Sequence, residues 1–288
     1  YPEMISFSSK YFYDGHLQAL KIRGKPVSEI FEFIEVEDLD RIEVTKNANK
    51  QEAELIISKL LELIKENSPP SVAIITPFSQ QQKVISTMIS EHIESDEIQK
   101  KLKIAVFTFD TCQGEERDII FYSMVASKHV DSLNYIFPVS FSSNLSEDEI
   151  DGKLKFQRLN VGFSRGKEKL VFVLSKPISD FGGSIGKALR HFKGQLENGT
   201  AVPGPEDVDP LSPMEARLLE WIQQTSFYTM RRETLEIIPQ FEIGKYLKSL
   251  DPSYSHPNYK VDFLLRITTK KSVYQIVLEY DGFEFHFK

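Results

Sequence analysis

The densest group of reactive side chains lies in VFTFDTCQGEERDIIFYSMVAS (106–127). There a strand-like run enters a polar turn holding Gly114, Glu115, Glu116 and Arg117, then returns to a strand-like run. Ligands of open α/β sheets bind beyond the carboxyl ends of strands, and this pattern puts the polar turn at such an end. The competing reading is a solvated turn with a charged tip. In QRLNVGFSRGKEKLVFV (157–173), Arg158 and Arg165 stand seven positions apart, which on a helix sets both on one face about two turns apart. An arginine at a helix end facing a cleft stabilises charge on a transferring phosphoryl group. Surface ion pairing is the ordinary alternative.

A second constellation is carboxylic. Asp262 sits in the strand-like VDFLLRIT (261–268), and Glu279 and Asp281 in VYQIVLEYD (273–281). Residues two apart on a strand face the same side, about 6.6 Å apart along it. If the two strands pair, three carboxylates converge. Hard divalent cations such as Mg²⁺ bind oxygen clusters of this kind, and the bound metal activates water for phosphodiester attack. His286 follows closely, and Glu215 lies in the first turn of a preceding helix. Ser212-Pro-Met-Glu215 also fits a capping box, which is the structural reading of that glutamate. His16, His129, His191 and His256 are scattered without metal-ligand spacing, and Cys112 has no histidine near it in sequence. The aromatic run Tyr11-Phe12-Tyr13 either stacks bases or packs beneath a sheet.

Positioning these groups requires an ordered frame. KQEAELIISKLLELIKE (50–66) sets Ala53, Ile56, Ile57, Leu60, Leu61 and Ile64 at spacings of three and four, an amphipathic helix. QQQKVISTMISEHIE (80–94) and SIGKALRHFKGQLE (184–197) also read as helices. SVAIITPF (71–78), KIAVFTFD (103–110), DIIFYSMVAS (118–127) and KLVFVLS (169–175) read as buried strands. Continuous apolar strands between helices predict an α/β fold, a mainly parallel sheet with helices on both faces. NGTAVPGPEDVDPLSP (198–213) changes composition abruptly and reads as a linker. Beyond it, a helix at 214–225 precedes strand-like runs at 235–247, 261–268 and 273–281, an α+β pattern. About 75 residues is small for a complete domain of that kind.

Composition narrows the function classes. Of 288 residues, 41% are hydrophobic and 27% charged, which excludes global disorder and fibrous repeats. The longest apolar runs fall far short of the roughly 18 residues that span a bilayer, and no N-terminal signal pattern is present, so no membrane partner is expected. One cysteine excludes a disulfide framework and a multi-cysteine zinc site, and fits a reducing cytoplasm. A net charge of −7 argues against wholesale wrapping of nucleic acid while leaving room for a local basic groove. Starting at Tyr1 and ending at Lys288 after a strand-like run, the chain reads as a piece of something longer.

Together, the segments resemble the second RecA-like domain of superfamily 1 helicases, the branch typified by the nonsense-mediated-decay RNA helicase. FTFDTCQGEERDIIFYSMV is similar to motif V and RLNVGFSRGKEKLVFV to motif VI. YPEMISFSSKYFYDGHLQ (1–18) is similar to the segment after the motif IV arginine, and NKQEAELI with SVAIITPFSQQ to the stretch between IV and V. The resemblance covers roughly residues 1–195, giving a second RecA-like domain at 1–197, and implies that Arg165 contacts the γ-phosphate of ATP. Gln113, Gly114 and Glu116 would line the nucleotide side of the cleft. Thr108 and Asp110 would connect that cleft to the nucleic-acid track, and Thr76 and Pro77 would lie near the backbone of the bound strand. Arg158, Lys167 and Lys169 would touch phosphates or stay solvated. No G-x-x-x-x-G-K-[ST] occurs in the chain, so an upstream P-loop domain is the implied partner, and the chain alone is expected not to hydrolyse ATP.

Residues 212–288 resemble the PD-(D/E)XK nuclease superfamily, in particular its branch related to very-short-patch-repair endonucleases, with 198–211 as the linker. The branch signature ends in E-x-D-G-x-x-H; this chain has EYDGFEFH (279–286), one residue longer before the histidine, and Asp281 stands where the superfamily pattern has its lysine. The resemblance implies a partial restriction-endonuclease-like domain with Mg²⁺ on Asp262, Glu279 and Asp281. The combined expectation is a helicase–nuclease fusion acting on DNA in preference to RNA, in repair or defence in a prokaryotic cytoplasm. The alternative is a non-catalytic module that keeps both folds and only binds nucleic acid.

Overall fold

The computed structural model describes residues 1–13, 17, 25–36, 44–45, 47–139, 150–200, 203–231, 234–269 and 272–280. The chain divides into two compact bodies: the larger comprises Glu3–Leu17 and Ser28–Leu196, and the smaller comprises Glu197–Lys288 together with Tyr1–Pro2 and Gln18–Val27, so one boundary falls inside a helix, between Leu196 and Glu197.

The larger body begins with α1 (Pro2–Phe12), β1 (Phe31–Glu35), the short β2 (Val44–Thr45) and β3 (Ala48–Asn49), and α2 (Lys50–Leu63). It continues through β4 (Val72–Thr76), α3 (Ser79–Glu91), α4 (Ser95–Leu102), β5 (Ala105–Thr108), β6 (Arg117–Ser127), α5 (Ile150–Phe163), β7 (Gly166–Ser175) and α6 (Gly183–Thr200). Five strands form a wholly parallel sheet in the order β1-β7-β6-β4-β5. All five residues of β4 are buried, as expected of a strand covered on both faces. On one face Val72, Ile74, Phe121, Val171 and Val173 meet Ala53, Ile56 and Leu60 of α2, Ile85 of α3 and Ile98 of α4. On the other, Tyr122 and Phe172 meet Phe163 of α5, Phe172 also meets Phe192 of α6, and Phe7 of α1 packs against both Phe163 and Phe192. This is an α/β, RecA-like architecture. The four predicted strands are β4, β5, β6 and β7, and β1 joins them at the edge.

The smaller body holds α7 (Pro213–Gln224), α8 (Ser226–Thr229), β8 (Leu235–Phe241), α9 (Ile243–Leu250), β9 (Val261–Thr268) and β10 (Val273–Leu278). Its strands form an antiparallel sheet with β9 in the middle. Leu219 and Ile222 of α7 pack on Leu235, Ile237, Phe263 and Leu265, and Val208 joins the same core. Val208 belongs to the segment read as a linker, so part of that segment is packed. The apolar pattern predicts strand throughout 235–247; the strand ends at Phe241 and α9 takes over. Gly244 permits this, because a Cβ there would lie 2.3 Å from the His256 carbonyl oxygen.

Candidate functional site

The polar turn is a crossing. It leaves the carboxyl end of β5, where Thr108 pairs with Thr76, and enters the amino end of β6, where Arg117 pairs with Gly166. The expectation that the whole turn sits at a carboxyl end therefore holds only for its first residues. Gly114 to Glu116 lie by the opposite end, because a parallel β6 must start where β4 starts: Ile119 pairs with Val72. Ser71 fixes that end, its amide and hydroxyl donating to the Asp118 carboxylate at 2.8 and 2.7 Å. Two tight turns shape the path, with Thr111 N–H donating to Thr108 O and Glu115 N–H to Cys112 O. Gly114 at φ +80° supplies the left-handed step.

The crossing is anchored from beneath. Phe109 packs edge-on against Phe163 and Phe137 and stacks on Tyr122. Gly162 is the contact point in α5, since a Cβ there would lie 2.2 Å from the Phe109 ring. The Tyr122 hydroxyl donates to the Gly162 carbonyl at 2.9 Å, and burial raises its pKa well above the usual range. Cys112 is buried in the same place, and burial pushes its thiol up to about 11, which removes the thiolate a nucleophile needs.

Arg158 and Arg165 do not share a helix face. Helix α5 ends at Phe163, so Arg165 lies beyond it, at the entry to β7. Its guanidinium folds back, with Nε donating to the Val161 carbonyl at 2.7 Å and Nη2 to Ser164 Oγ at 2.7 Å. A cation satisfying an orphan carbonyl at a helix carboxyl terminus is favoured by both the hydrogen bond and the dipole. The Arg165 carbonyl accepts from Arg117 N–H, so the half-buried guanidinium stands at the end of the sheet where Gly114 and Glu116 emerge. Gln113, Gly114 and Glu116 are exposed, and Lys167 reaches Glu116 at 3.6 Å.

At the other end, Arg158 forms an ion pair with Asp110 and donates to the Ile136 carbonyl at 3.2 Å. Thr108 is nearly buried and shares a hydrogen bond with Thr111 Oγ1. Thr76 and Pro77 are both buried, and Thr76 Oγ1 has no hydrogen-bond partner among the described residues. The exposed side chains at that strand end are Ser79 and Gln80, which open α3. Of the aromatic run at 11–13, Tyr11 packs on Phe7 and Phe12 stacks on Phe156 with centroids 4.3 Å apart. These two are half-buried against neighbouring rings; Tyr13 is exposed, its hydroxyl accepting from Asn160 Nδ2.

In the smaller body β9 and β10 do pair, and their register runs to Leu278 opposite Phe263. Asp262 and Glu279 are the next residues along. The Asp262 carboxylate accepts from Tyr280 N–H at 2.6 Å, and Glu279 accepts from the Tyr259 hydroxyl. That bond to Glu279 holds the Tyr259 phenol up at about 12. Asp281 and His286 lie outside the described residues, and among the described residues no group of three or more potential metal ligands forms. Glu215 is buried, and the predicted capping box does not form. Ser212 makes no side-chain cap; the Glu215 carboxylate accepts instead from Gln240 Nε2 at 2.8 Å and from Asp209 N–H at 3.3 Å. Gln240, at φ +49°, sits across from Asp262 between the pairs Pro239–Phe263 and Phe241–Val261.

A family profile described as "AAA domain" matches residues 1–176. The chain belongs to the AAA-domain family. Over 159 residues, 54% of the chain, it is also 27% identical to the DNA replication ATP-dependent helicase/nuclease DNA2 of Bos taurus, and it spans 13% of that protein's length. No helix among the described residues of this AAA-domain protein is long and apolar enough to cross a membrane.

The AAA domain also contains a polar group that sequence reasoning does not single out. Glu52, fully buried one turn before Ile56 on the apolar stripe of α2, accepts from Ser123 Oγ at 2.7 Å, Val125 N–H at 2.9 Å and Ser175 Oγ at 2.9 Å. Burial raises its pKa from 4.5 to about 7 against the opposing pull of those donors. The legible signal is a glutamate in line with Ile56 and Leu60.

Proposed function

We propose that this AAA domain is the second motor half of an ATP-dependent, superfamily 1-type helicase or translocase that acts on DNA in the cytoplasm. The observation supporting it most is the crossing 109–116, which runs from the Thr76–Thr108 end of the sheet to the Arg165–Gly166 end. A motor half needs such a link between its nucleic-acid end and its nucleotide end. Arg165 fits an ATP-facing role: it is half-buried and held by two hydrogen bonds, with exposed Gln113, Gly114 and Glu116 at the same end of the sheet. ATP, bound mainly by a separate P-loop domain, supplies the phosphoryl group, and Arg165 stabilises the charge developing on it. Ser79, Gln80 and Arg158 are the groups available to the phosphate backbone at the other end. The bovine relative is named for DNA replication, which supports DNA over RNA.

The smaller body, in the same reading, is a restriction-endonuclease-like domain. Asp262 and Glu279 are hard oxygen donors adjacent across a strand pair, a set that suits Mg²⁺ with its retained waters. Asp281, and His286 beyond it, would complete the site, and Mg²⁺ when bound supplies a Lewis acid for phosphodiester chemistry. Asp281 in place of the superfamily's lysine favours a second reading for this body alone, binding without cleavage.

In the full-length gene product, Arg165→Ala lowers ATPase turnover by about 10³-fold or more while nucleotide binding persists. An unchanged turnover removes Arg165 from the role. For the smaller body, Mg²⁺-dependent nicking of plasmid DNA that Glu279→Ala abolishes supports the nuclease. Equal nicking by both proteins removes Glu279 from the role; nicking by neither leaves only the binding module.

A further inference from the structure

Five polar side chains from four separate segments meet inside the larger body with almost no exposure: Asn49, Glu52, Gln81 and Ser123 at 0% and Ser175 at 2%. Gln81, in the first turn of α3, bonds Asn49 in both directions at 2.8 Å and donates to Ser123 Oγ at 2.9 Å. Asn49 caps α2 through the Glu52 amide and donates to Ser175 Oγ at 2.7 Å and to the Val125 carbonyl at 3.3 Å. Glu52 closes the group with three accepted hydrogen bonds. An apolar residue at 52 would fill the helix stripe, yet leave the Val125 amide and two hydroxyls without an acceptor.

What the group holds is a strained backbone. Val125 stands at φ +67°, left-handed and β-branched, inside the register shift of β6 between Ser123 and Ser127. Such a conformation persists only where its surroundings over-determine it. Both peptide groups of Val125 are clamped, the amide by Glu52 and the carbonyl by Asn49. The bulge aims the chain into the segment whose Ile136 carbonyl receives Arg158. Through Gln81 the same group fixes the first turn of α3, where Ser79 and Gln80 are exposed.

We infer that Glu52 is a positioning residue that sets the carboxyl-end rim of the sheet, holding Ser79 and Gln80 on one side and the Ile136–Arg158–Asp110 contact on the other in register for a nucleic-acid backbone. This rests on the nucleic-acid reading above. Glu52 touches no ligand itself and acts through Gln81 and Val125.

The test measures binding of the full chain to labelled oligothymidylate by fluorescence anisotropy across a salt series, with folding followed by circular dichroism. Glu52→Ala weakens binding by about tenfold and flattens the slope of log K against log salt by about 0.7 for each phosphate that the protein no longer neutralises. Glu52→Gln, which keeps an acceptor for the Val125 amide, restores both. A loss of folded protein alone scales the binding amplitude and leaves that slope unchanged. Should Glu52→Ala not fold, Gln81→Ala decides, since it cuts α3 from the group and keeps the Glu52 clamp; because Ser79 and Gln80 are uncharged, weaker affinity at full amplitude and an unchanged slope supports the assignment. Wild-type affinity and slope in folded Glu52→Ala, or in Gln81→Ala where Glu52→Ala does not fold, overturn the positioning role alone. Absence of binding by the wild type overturns the nucleic-acid reading and this role with it.

Discussion

The buried carboxyl of Glu52 makes stability depend on pH in a direction that can be worked out. Its pKa rises from 4.5 to about 7 on folding, chiefly by desolvation. The folded state therefore binds the proton more tightly than the unfolded state. The resulting stabilisation is complete below pH 4.5 and is lost as pH climbs through 7. A pKa gap of about 2.5, at about 1.36 kcal/mol each, gives roughly 3 kcal/mol in full, of which roughly 2 to 3 kcal/mol falls between pH 5 and pH 8. Glu52→Gln removes the titration and keeps the shape. Wild type and variant compared at the two pH values cancel every other titrating group, so the stability difference shifts towards the variant by roughly 2 to 3 kcal/mol. The single tryptophan, Trp221, belongs to α7 in the smaller body, so its fluorescence reports the wrong unit. Urea-dependent hydrogen exchange of peptides from α2 and β6 reads the correct one. A difference that stays constant from pH 5 to pH 8 refutes the burial argument.

Gly162→Ala drives a methyl group into the Phe109 ring, and overpacking of this kind costs about 1–3 kcal/mol; thermal melting of the variant checks it, and Phe109→Leu in the same chain recovers part of the loss. Glu215→Ala strips the acceptor from Gln240 and from the Asp209 amide, costing about 1–3 kcal/mol in the smaller body alone, which Trp221 fluorescence in urea reports.

How much of this is legible in the sequence follows from how local each signal is. The strands β4 to β7 are legible because each is a continuous apolar run between helical periods. FEFIE, which forms β1, is not, since Glu32 and Glu35 interrupt the apolar pattern of an edge strand whose core contacts come from Phe31 and Phe33. The end of α5 escapes the pattern because seven-residue spacing assumes a helix that continues, and Ser164-Arg165-Gly166 breaks it. The Glu52 group is out of reach because its partners Ser123 and Ser175 lie 71 and 123 residues away. In the smaller body the pairing that brings Asp262 to Glu279 is a condition the sequence can only pose, and it is met. The partner of Glu215 is not foreseeable, because Gln240 reaches it from a left-handed backbone that residue type alone does not announce.

Both faces of the larger sheet are packed with apolar side chains, but two anchors of different chemistry, one on each face, hold the same segment. On the α2–α3 face, hydrogen bonds to Glu52 and Asn49 fix Val125 and so the exit of β6. On the α5 face, dispersion contacts fix Phe109, which lies beneath Gly162 and beside Phe137 with centroids 4.9 Å apart. Between the two anchors the chain turns through Ser127, whose hydroxyl accepts from the His129 and Val130 amides, and arrives at Ile136 and Phe137. Arg158 then ties Ile136 to Asp110 in the crossing turn. A displacement of the crossing near Arg165 passes through buried Cys112 to Asp110, next to the rigidly packed Phe109, and close-packed side chains transmit displacement better than they absorb it. The carboxyl-end rim thus depends on one polar and one apolar anchor, and releasing either one alters the Arg158–Asp110 contact that both support.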